Sequence, residues 1–234
     1  MTRAHTIVRP AQYLEARLKL LAAERELTRQ REAVAAQRRN LPWVRVEKSY
    51  HFESADGPIT LSDLFRGRSQ LLIYHLMYAP EWEAACKSCT FWADSFDRMV
   101  PHLAARDVSF AAVSRAPLAK LQAYARRLGW SFPWVSAGAS DFNYDFAVSF
   151  TPEQIARKTG RYNYGVTPAE ETDLPGYSVL SRDESGAVFH TYSTFARGID
   201  ALNPVYQALD LVPKGRDEAG LAHTMSWVKR RDEY

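Results

Sequence analysis

Both cysteines of the 234-residue chain lie in one four-residue motif, Cys86-Lys87-Ser88-Cys89. This motif constrains the fold more than any other feature of the sequence. An apolar run at 71–77 precedes it and predicts a buried strand, and the segment that follows, 90–100, has a helical pattern. The amide groups and dipole at the start of a helix stabilise a thiolate, the reactive form of cysteine. A strand, a short loop and a Cys-x-x-Cys pair opening a helix therefore predict thiol chemistry on an α/β scaffold.

The two thiols have different expected roles. Cys86 is nearer the helix start and lies beside Lys87, so we assign it as the nucleophile, with Cys89 resolving the mixed disulfide. Two inert thiols packed under a loop are the plainer alternative. With no second cysteine pair, a four-cysteine zinc site within one chain is excluded. A metal site would have to combine both thiolates with His75 or a second subunit, and we expect neither a metal nor a cofactor.

Composition narrows the class of protein. Apolar residues make up 46% and charged residues 24% of the chain, which are ordinary values for a globular protein. No apolar run approaches the roughly 18 residues of a membrane span. The N-terminus leads into charged sequence rather than an apolar signal core. We therefore expect a cytoplasmic protein without a membrane partner, in which a close cysteine pair is more often catalytic, redox-sensing or metal-binding than structural.

Positive charge is concentrated near the N-terminus. Residues 1–49 carry eleven Lys/Arg against five Asp/Glu, a balance of +6 within a total of +3. A basic arm can contact nucleic acid, but nothing here alternates aromatic and basic residues as a base-stacking surface does. We favour a solvated helix with interleaved acids and bases, and expect no nucleic-acid partner.

The first forty residues predict a separate helical arm. Pro10 is well placed near a helix start, and Leu41-Pro42 ends the pattern near residue 40. Apolar side chains recur at a helical interval at Leu14, Leu18 and Leu21. Arg25 interrupts this stripe, so a long coiled coil is not expected. The division is thus an arm at 1–40 and a domain at 41–234, with the stripe favouring a homodimer or, alternatively, packing on its own domain.

The remainder alternates strands and helices. The predicted strands are 43–50, 59–61, 71–77, 108–113, 134–136 and the hairpin 176–181 with 187–192. The predicted helices are 87–104, 117–128, 152–158 and 199–209. This order argues for an α/β fold with a central mixed sheet and helices on both faces.

This order resembles the thioredoxin fold in its peroxiredoxin-like variety. More specifically, from about residue 10 to 234 the chain is similar to the bacterial family of thioredoxin-like proteins catalogued as domain of unknown function 899. The segments that carry the resemblance are Tyr74-His75, Cys86-Lys87-Ser88-Cys89-Thr90-Phe91-Trp92-Ala93-Asp94, and the stretches 104–108, 112–118, 130–136 and 190–194.

The resemblance implies a role for Pro175 and also sets limits. Leu174-Pro175-Gly176 is similar to the cis-proline strand, which implies that Pro175 faces the cysteines and binds an extended substrate backbone; a trans turn proline is the alternative.

Peroxiredoxins place Pro and Thr or Ser where this chain has Ala79 and Glu83, so a peroxiredoxin mechanism is not expected. Ala85 stands where thioredoxins have Trp, which weakens the likeness to a general disulfide reductase.

Four further residues are candidates for substrate binding, each with packing as the alternative: Trp82, Trp92, Arg115 and His75. Arg115, at a predicted strand end, would bind an anionic group at the carboxyl edge of the sheet. The predicted function is thiol–disulfide oxidoreduction on a protein or small-molecule thiol or disulfide. A thioredoxin-fold binding or scaffold module without turnover is the alternative, so the residues leave open whether the chain is an enzyme.

Overall fold

A computed structural model describes residues 5–165 and 167–234. The chain divides into two compact units, one that ends at Pro42 and a second formed by Trp43–Tyr234. The first unit is built on helix α1, Pro10–Arg39. Proline has no backbone N–H, and an N–H at the first helical position would have no carbonyl acceptor within the helix. Proline therefore suits a helix start. The predicted long N-terminal helix is confirmed.

Helix α1 exposes its apolar stripe. None of its thirty residues is fully buried, and Leu14 and Leu18 are each 55% exposed. Ion pairs at helical spacing, Glu15 with Lys19 and Glu26 with Arg29, cover other parts of its surface. Self-association through this stripe stays a prediction.

The second unit contains an eight-stranded sheet in the order β1-β10-β9-β4-β5-β6-β2-β3, and a separate pair, β7-β8. The strands are β1 Val44–Arg45, β2 His51–Ser54, β3 Gly57–Thr60, β4 Gln70–His75, β5 Val108–Ser114, β6 Trp134–Ser136, β7 Arg161–Tyr162, β8 Thr167–Pro168, β9 Gly176–Arg182 and β10 Val188–Phe195.

The sheet is mixed. Strands β4, β5 and β6 are parallel, and long apolar runs with little alternation suit strands covered on both faces. Strand β9 pairs antiparallel with β4, and β10 antiparallel with β9. The hairpin is closed by Gly186, whose φ of +86° is a conformation that glycine adopts without strain. This arrangement confirms the thioredoxin-like α/β fold of peroxiredoxin-like layout.

The predicted helix 87–104 is two helices. The helices of this unit are α2 Lys87–Ala93, α3 Phe96–Ala104, α4 Leu118–Leu128, α5 Phe142–Asp145, α6 Pro152–Ala156 and α7 Pro204–Leu209. The break follows Trp92, whose carbonyl accepts hydrogen bonds from both the amide and the hydroxyl of Ser95. Serine competes in this way with helical bonding, which separates α2 from α3.

The two faces of the sheet carry separate apolar cores. One core surrounds Cys89 and contains Tyr74 and Tyr177. The other contains Ile73 and Phe142. Side chains alternate along a strand, so consecutive residues of β4 enter different cores. Across the described ranges, no helix has the length and apolarity needed to cross a membrane.

Candidate functional site

The cysteine motif begins helix α2. A loop leads from β4 to Cys86, which precedes the first helical residue with φ −52° and ψ 126°. The Cys86 amide donates to the Met77 carbonyl at 3.0 Å, and the Cys86 carbonyl accepts the Thr90 amide at 3.0 Å. These two bonds fix the backbone on both sides of the first thiol. Both cysteines are free thiols and approach each other to 4.0 Å.

Cys86 is the more acidic thiol. It is half-buried, and its pKa falls from an ordinary 9.0 to about 6, chiefly because the Cys89 side chain donates to its sulfur. The amides of Cys89 and Ser88 and the Ser88 hydroxyl add to this effect. Amides pointing out of a helix start favour the charged form of a thiol. Cys86 is therefore a thiolate at neutral pH.

Cys89 is in the opposite state. Its side chain is buried, with 2% of the residue exposed. Burial raises the pKa of Cys89 well above its usual value, and the nearby Cys86 charge raises it further. Desolvation disfavours a thiolate, and a neighbouring negative charge does the same. Cys89 is therefore a protonated thiol that donates toward Cys86.

Three tyrosine side chains interact electrostatically with Cys89. The Tyr74 hydroxyl interacts with its sulfur and lowers the pKa of Cys89 in part. Tyr162 and Tyr177 are close enough that the charge of a Cys89 thiolate would raise their own pKa values. The rings of Tyr74 and Tyr177 lie 4.7 Å apart, centroid to centroid. Of the three, only Tyr74 is near the cysteine motif in the sequence, and Tyr162 and Tyr177 come from distant parts of the chain.

Two of these hydroxyls lack an ordinary partner. The Tyr74 and Tyr177 hydroxyls are buried without an oxygen or nitrogen partner among the described residues. A buried hydroxyl that makes no hydrogen bond costs about 1–3 kcal/mol. A negative charge on Cys89 would give both donors a target. The surroundings of Cys89 thus suit a sulfur that is transiently ionised.

The C-terminal segment holds the cysteine loop in place. Arg230 donates to the Ala85 carbonyl at 2.9 Å and to the Tyr124 hydroxyl at 2.8 Å. Tyr124 in turn bonds to the Thr90 hydroxyl, which donates to the Cys86 carbonyl. Arg230 therefore anchors both the residue before Cys86 and the first turn after it. Nothing in the local sequence around the motif indicates this contact.

Lys87 contacts the C-terminal segment. Its ammonium group donates to the Ser226 carbonyl at 3.0 Å, and it is not among the main causes of the lowered pKa of Cys86. Next to this contact the Phe91 ring meets Trp227 edge to face, with centroids 5.6 Å apart. Lys87 and Phe91 together attach helix α2 to the C-terminal segment.

His75 lies on the other face of the sheet from Cys89. Its Nε2 is 2.8 Å from the Ser178 hydroxyl, and its ring stacks on Phe142 at 5.8 Å. Burial lowers the pKa of His75 to about 3, so the ring is neutral. The structure does not bring His75 to the thiols.

Arg115 is held by a carboxylate. Its guanidinium forms two bonds to Asp173, at 2.8 and 2.6 Å, and one to the Tyr144 hydroxyl. Asp173 also accepts from Ser149 at 2.6 Å. A buried, bidentate pair of this kind positions two chain segments and leaves Arg115 without a free edge for the anionic substrate that we predicted.

The two tryptophans differ. Trp92 is 3% exposed, and its indole N–H donates to the Ile199 carbonyl at 3.1 Å, which is a packing position. Trp82 is half-exposed in the loop between β4 and α2 and packs against the Cys89 core. Of the two, only Trp82 keeps a surface that a substrate could contact.

Pro175 is not a cis-proline. No cis peptide bond occurs among the described residues, so the Leu174–Pro175 bond is trans. Its carbonyl accepts a hydrogen bond from the Tyr162 hydroxyl. Pro175 directly precedes Gly176, which pairs with His75 at the end of β4. Pro175 therefore lies directly before β9, and the cis conformation that the resemblance implies is absent at this bond.

The residues for a metal site do not converge. Within 5–165 and 167–234, no three His, Cys, Asp or Glu side chains are close enough to hold an ion. His75, the third ligand considered from the sequence, faces Ser178 instead. A site within one chain built from both thiolates and His75 therefore does not fit this structure.

The sheet order and the position of the cysteine helix define a thioredoxin-like protein of peroxiredoxin-like layout. The sequence profile of the family described as bacterial protein of unknown function (DUF899) matches residues 2–234, so the chain belongs to this family. The family predicted from the sequence is confirmed. No curated protein matches the sequence significantly.

Solved peroxiredoxin structures are similar to this chain. Peroxiredoxin Q of Xanthomonas campestris matches with 19% identity and a TM-score of 0.47, over 70% of this chain and 91% of its own. Peroxidoxin BcpB from Mycobacterium tuberculosis matches with 16% identity and a TM-score of 0.45, over 72% and 97%. A yeast mitochondrial 1-Cys peroxiredoxin matches with 16% identity and a TM-score of 0.42, over 71% and 75%.

Proposed function

We propose that the chain is a thiol–disulfide oxidoreductase with Cys86 as nucleophile and Cys89 as resolving thiol. One observation supports this most: two free cysteines lie 4.0 Å apart at the start of α2 with opposite proton affinities. Cys86 has a pKa of about 6, whereas burial raises that of Cys89. A low-pKa, accessible thiolate beside a buried thiol is the arrangement that dithiol exchange requires.

The proposed reaction transfers two electrons from the Cys86–Cys89 dithiol to a substrate disulfide. The Cys86 thiolate attacks one sulfur of a substrate disulfide, forms a mixed disulfide and releases the first substrate thiolate. Cys89 then loses its proton and attacks the Cys86 sulfur, which releases the second substrate thiolate. The substrate is reduced by two electrons and the cysteine pair is oxidised to a disulfide. An S–S bond of about 2.05 Å requires the sulfurs to approach further, which a change in side-chain torsion supplies.

The second step is the demanding one. Cys89 must ionise although burial raises its pKa, and the groups that act on it are hydroxyls and backbone rather than a carboxylate or imidazole. The Tyr74 hydroxyl is the side chain other than Cys86 that interacts with its sulfur. We expect resolution of the mixed disulfide to be slower than its formation and to accelerate with rising pH.

Single-cysteine variants test this proposal. Incubated with a small disulfide such as oxidised glutathione, Cys86→Ser should lose exchange, and Cys89→Ser should accumulate a mixed disulfide at Cys86 detected by intact mass. The unaltered protein, titrated in glutathione buffers, should form its internal disulfide at a potential within the range of roughly −200 to −300 mV. If both variants exchange as fast as the parent, the assignment is wrong.

The same experiment addresses the alternative of a binding module without turnover. In that case the thiols of the folded protein would not react with the disulfide and would do so only after denaturation. The half-exposed position of Cys86 favours the redox function over this alternative.

A further inference from the structure

Four polar side chains form a buried chain of hydrogen bonds on the sheet face opposite Cys89. His75 Nε2 lies 2.8 Å from the Ser178 hydroxyl, and Ser178 lies 2.8 Å from the Ser193 hydroxyl. The Ser193 hydroxyl lies 2.7 Å from His190 Nε2. The chain therefore runs across β4, β9 and β10 and ends at His190.

The protonation of His75 determines which group donates in each hydrogen bond of this chain. His75 Nδ1 is buried without a partner among the described residues. A buried N–H without an acceptor is unfavourable, so the proton is on Nε2 and is donated to Ser178. Ser178 then donates to Ser193, and Ser193 to His190 Nε2. Burial lowers the pKa of both histidines, so this chain adds no charge to its surroundings.

A cavity opens beside the His190 end. It has a volume of about 460 Å³, and His190 and Ser193 line it together with apolar side chains. These apolar residues are Val44, Val46, Phe146, Ala147 and Phe195. Tyr164, also in the lining, is 70% exposed, and its ring lies 5.4 Å from that of Phe195. Cavities of this volume and apolar character accept small molecules.

Among the described residues, every charged side chain of the cavity lining except that of Arg161 has an ion-pair partner. Lys48 bonds to Asp141 and Asp145 at 2.7 and 2.8 Å. Arg45 pairs with Glu47 at 3.3 Å. Arg161 also lines the cavity, and its guanidinium has no carboxylate or hydrogen-bond partner within the described part of the chain. The lining thus offers one unpaired cation beside an apolar wall.

We propose that this cavity binds a small carboxylate with an apolar body, its anionic group on Arg161 and its body against Phe146, Phe195 and Tyr164. A guanidinium matches a carboxylate with two parallel hydrogen bonds. A single free cation suits a monoanion better than a phosphate, which carries more charge. The lining residues come from β1, β7, β10, α5 and the segments beside them, and neither cysteine is among them. Binding is therefore independent of the proposed redox function.

The experiment compares 3-phenylpropionate with its neutral amide by isothermal titration of the full chain. The acid should bind at least tenfold more tightly, which corresponds to about 1.4 kcal/mol. Arg161→Gln should abolish this difference, because the ion pair is lost while the apolar contacts stay. Arg157→Gln, at an exposed arginine outside the cavity lining, should keep it. A double variant, Cys86→Ser with Cys89→Ser, should also bind normally.

Tyr164→Ala provides a second variant, since it should weaken the acid and the amide by a similar factor. The proposal is overturned if the amide binds as tightly as the acid, or if Arg161→Gln leaves the preference intact. It is equally overturned if no saturable binding occurs at millimolar acid, or if the double cysteine variant loses binding. The last result would place the ligand at the thiols, whereas failure of disulfide exchange alone would leave the carboxylate site standing.

Discussion

Tyr74 and His75 are consecutive residues at the end of β4, but they lie on opposite faces of the sheet. The two faces differ in the hydrogen bonding of their buried polar groups. Within the part of the chain that the structure describes, the Tyr74 and Tyr177 hydroxyls are buried in the core around Cys89 without an oxygen or nitrogen partner. His75 begins a chain of three hydrogen bonds through Ser178 and Ser193 to His190. Within the described residues, one face places two hydroxyls without an oxygen or nitrogen partner in the core around Cys89, whereas the other face links four polar side chains and leaves His75 Nδ1 without a partner.

This difference gives the two faces different expected contributions to the free energy of unfolding. Each satisfied buried bond contributes about 0.5–1.5 kcal/mol, whereas an unpaired buried hydroxyl costs about 1–3 kcal/mol. Unpaired donors around Cys89 are consistent with a sulfur that ionises during a reaction. Deleting one hydroxyl on each face should therefore change the free energy of unfolding in opposite directions.

The largest expected effect is a loss of folding stability at acidic pH. The pKa of His75 is lowered from 6.5 to about 3 by burial, so the ring is neutral when folded but takes up a proton below pH 6.5 when unfolded. The stability that this neutral ring contributes is fully present above pH 6.5 and is lost as the pH falls toward 3. The loss is at most about 1.4 kcal/mol per pH unit. Urea unfolding between pH 7 and 4 measures it.

Variants isolate the contribution of His75 from those of the carboxylates. His75→Gln should flatten the slope of stability against pH, and His102→Gln, at an exposed helical position, should leave it unchanged. Equal slopes for the parent and His75→Gln would show that acid sensitivity originates elsewhere.

Ser178→Ala should be the next largest change. It leaves both His75 Nε2 and the Ser193 hydroxyl without their shared partner, so the free energy of unfolding should fall by about 1–3 kcal/mol. Ser49→Ala, at an exposed serine, should stay within about 0.5 kcal/mol of the parent. Denaturant unfolding at pH 7 compares the two, and similar values for both would mean that the buried chain adds nothing to stability.

Cys89→Ala should change the reactivity of Cys86. The Cys89 side chain is the main cause of the low pKa of Cys86, so its removal should move that pKa from about 6 toward 9. Alkylation by iodoacetamide at pH 7 should slow by about tenfold, because fewer molecules carry the thiolate. Mass spectrometry across pH 5–10 gives the midpoint. Ser178→Ala, on the opposite face, should leave this midpoint in place.

Tyr74→Phe should have the smallest effect on stability and the opposite sign from Ser178→Ala. It removes a hydroxyl that lacks an oxygen or nitrogen partner, so stability should change by less than about 1 kcal/mol, toward a more stable protein. Resolution of the mixed disulfide by Cys89 should shift to higher pH, since the Tyr74 hydroxyl lowers the pKa of Cys89. Stopped-flow exchange against pH measures the shift. A loss of stability as large as that of Ser178→Ala would remove the contrast between the faces.

Local patterns predicted the scaffold well. The hairpin around Gly186, the strand 134–136 and helix α4 appear as the sequence indicates, because turn residues and apolar spacing act over a few residues. The helix break at Ser95 was missed, since a serine that bonds to its own helix differs little in sequence from one that faces solvent.

The position of Cys86 and Cys89 at a helix start follows from local spacing. The roles predicted for Arg115 and Trp92 depended on whether those side chains are engaged by other parts of the chain. Asp173, fifty-eight positions away, accepts hydrogen bonds from the Arg115 guanidinium. The Ile199 carbonyl accepts a hydrogen bond from the indole N–H of Trp92. No pattern near either residue carries that information.

By itself, the sequence determined the thioredoxin-like order of elements, the long first helix and the position of the thiol pair at a helix start, because each depends on contacts between near neighbours along the chain. The tertiary structure alone decided that the Cys89 side chain is the main cause of the low pKa of Cys86, that Tyr177 packs with Tyr74 in the core around Cys89, and that Arg230 anchors the cysteine loop. Proton affinities depend on burial and on the orientation of nearby donors. Those are set by strands and segments that meet only when the whole domain has folded.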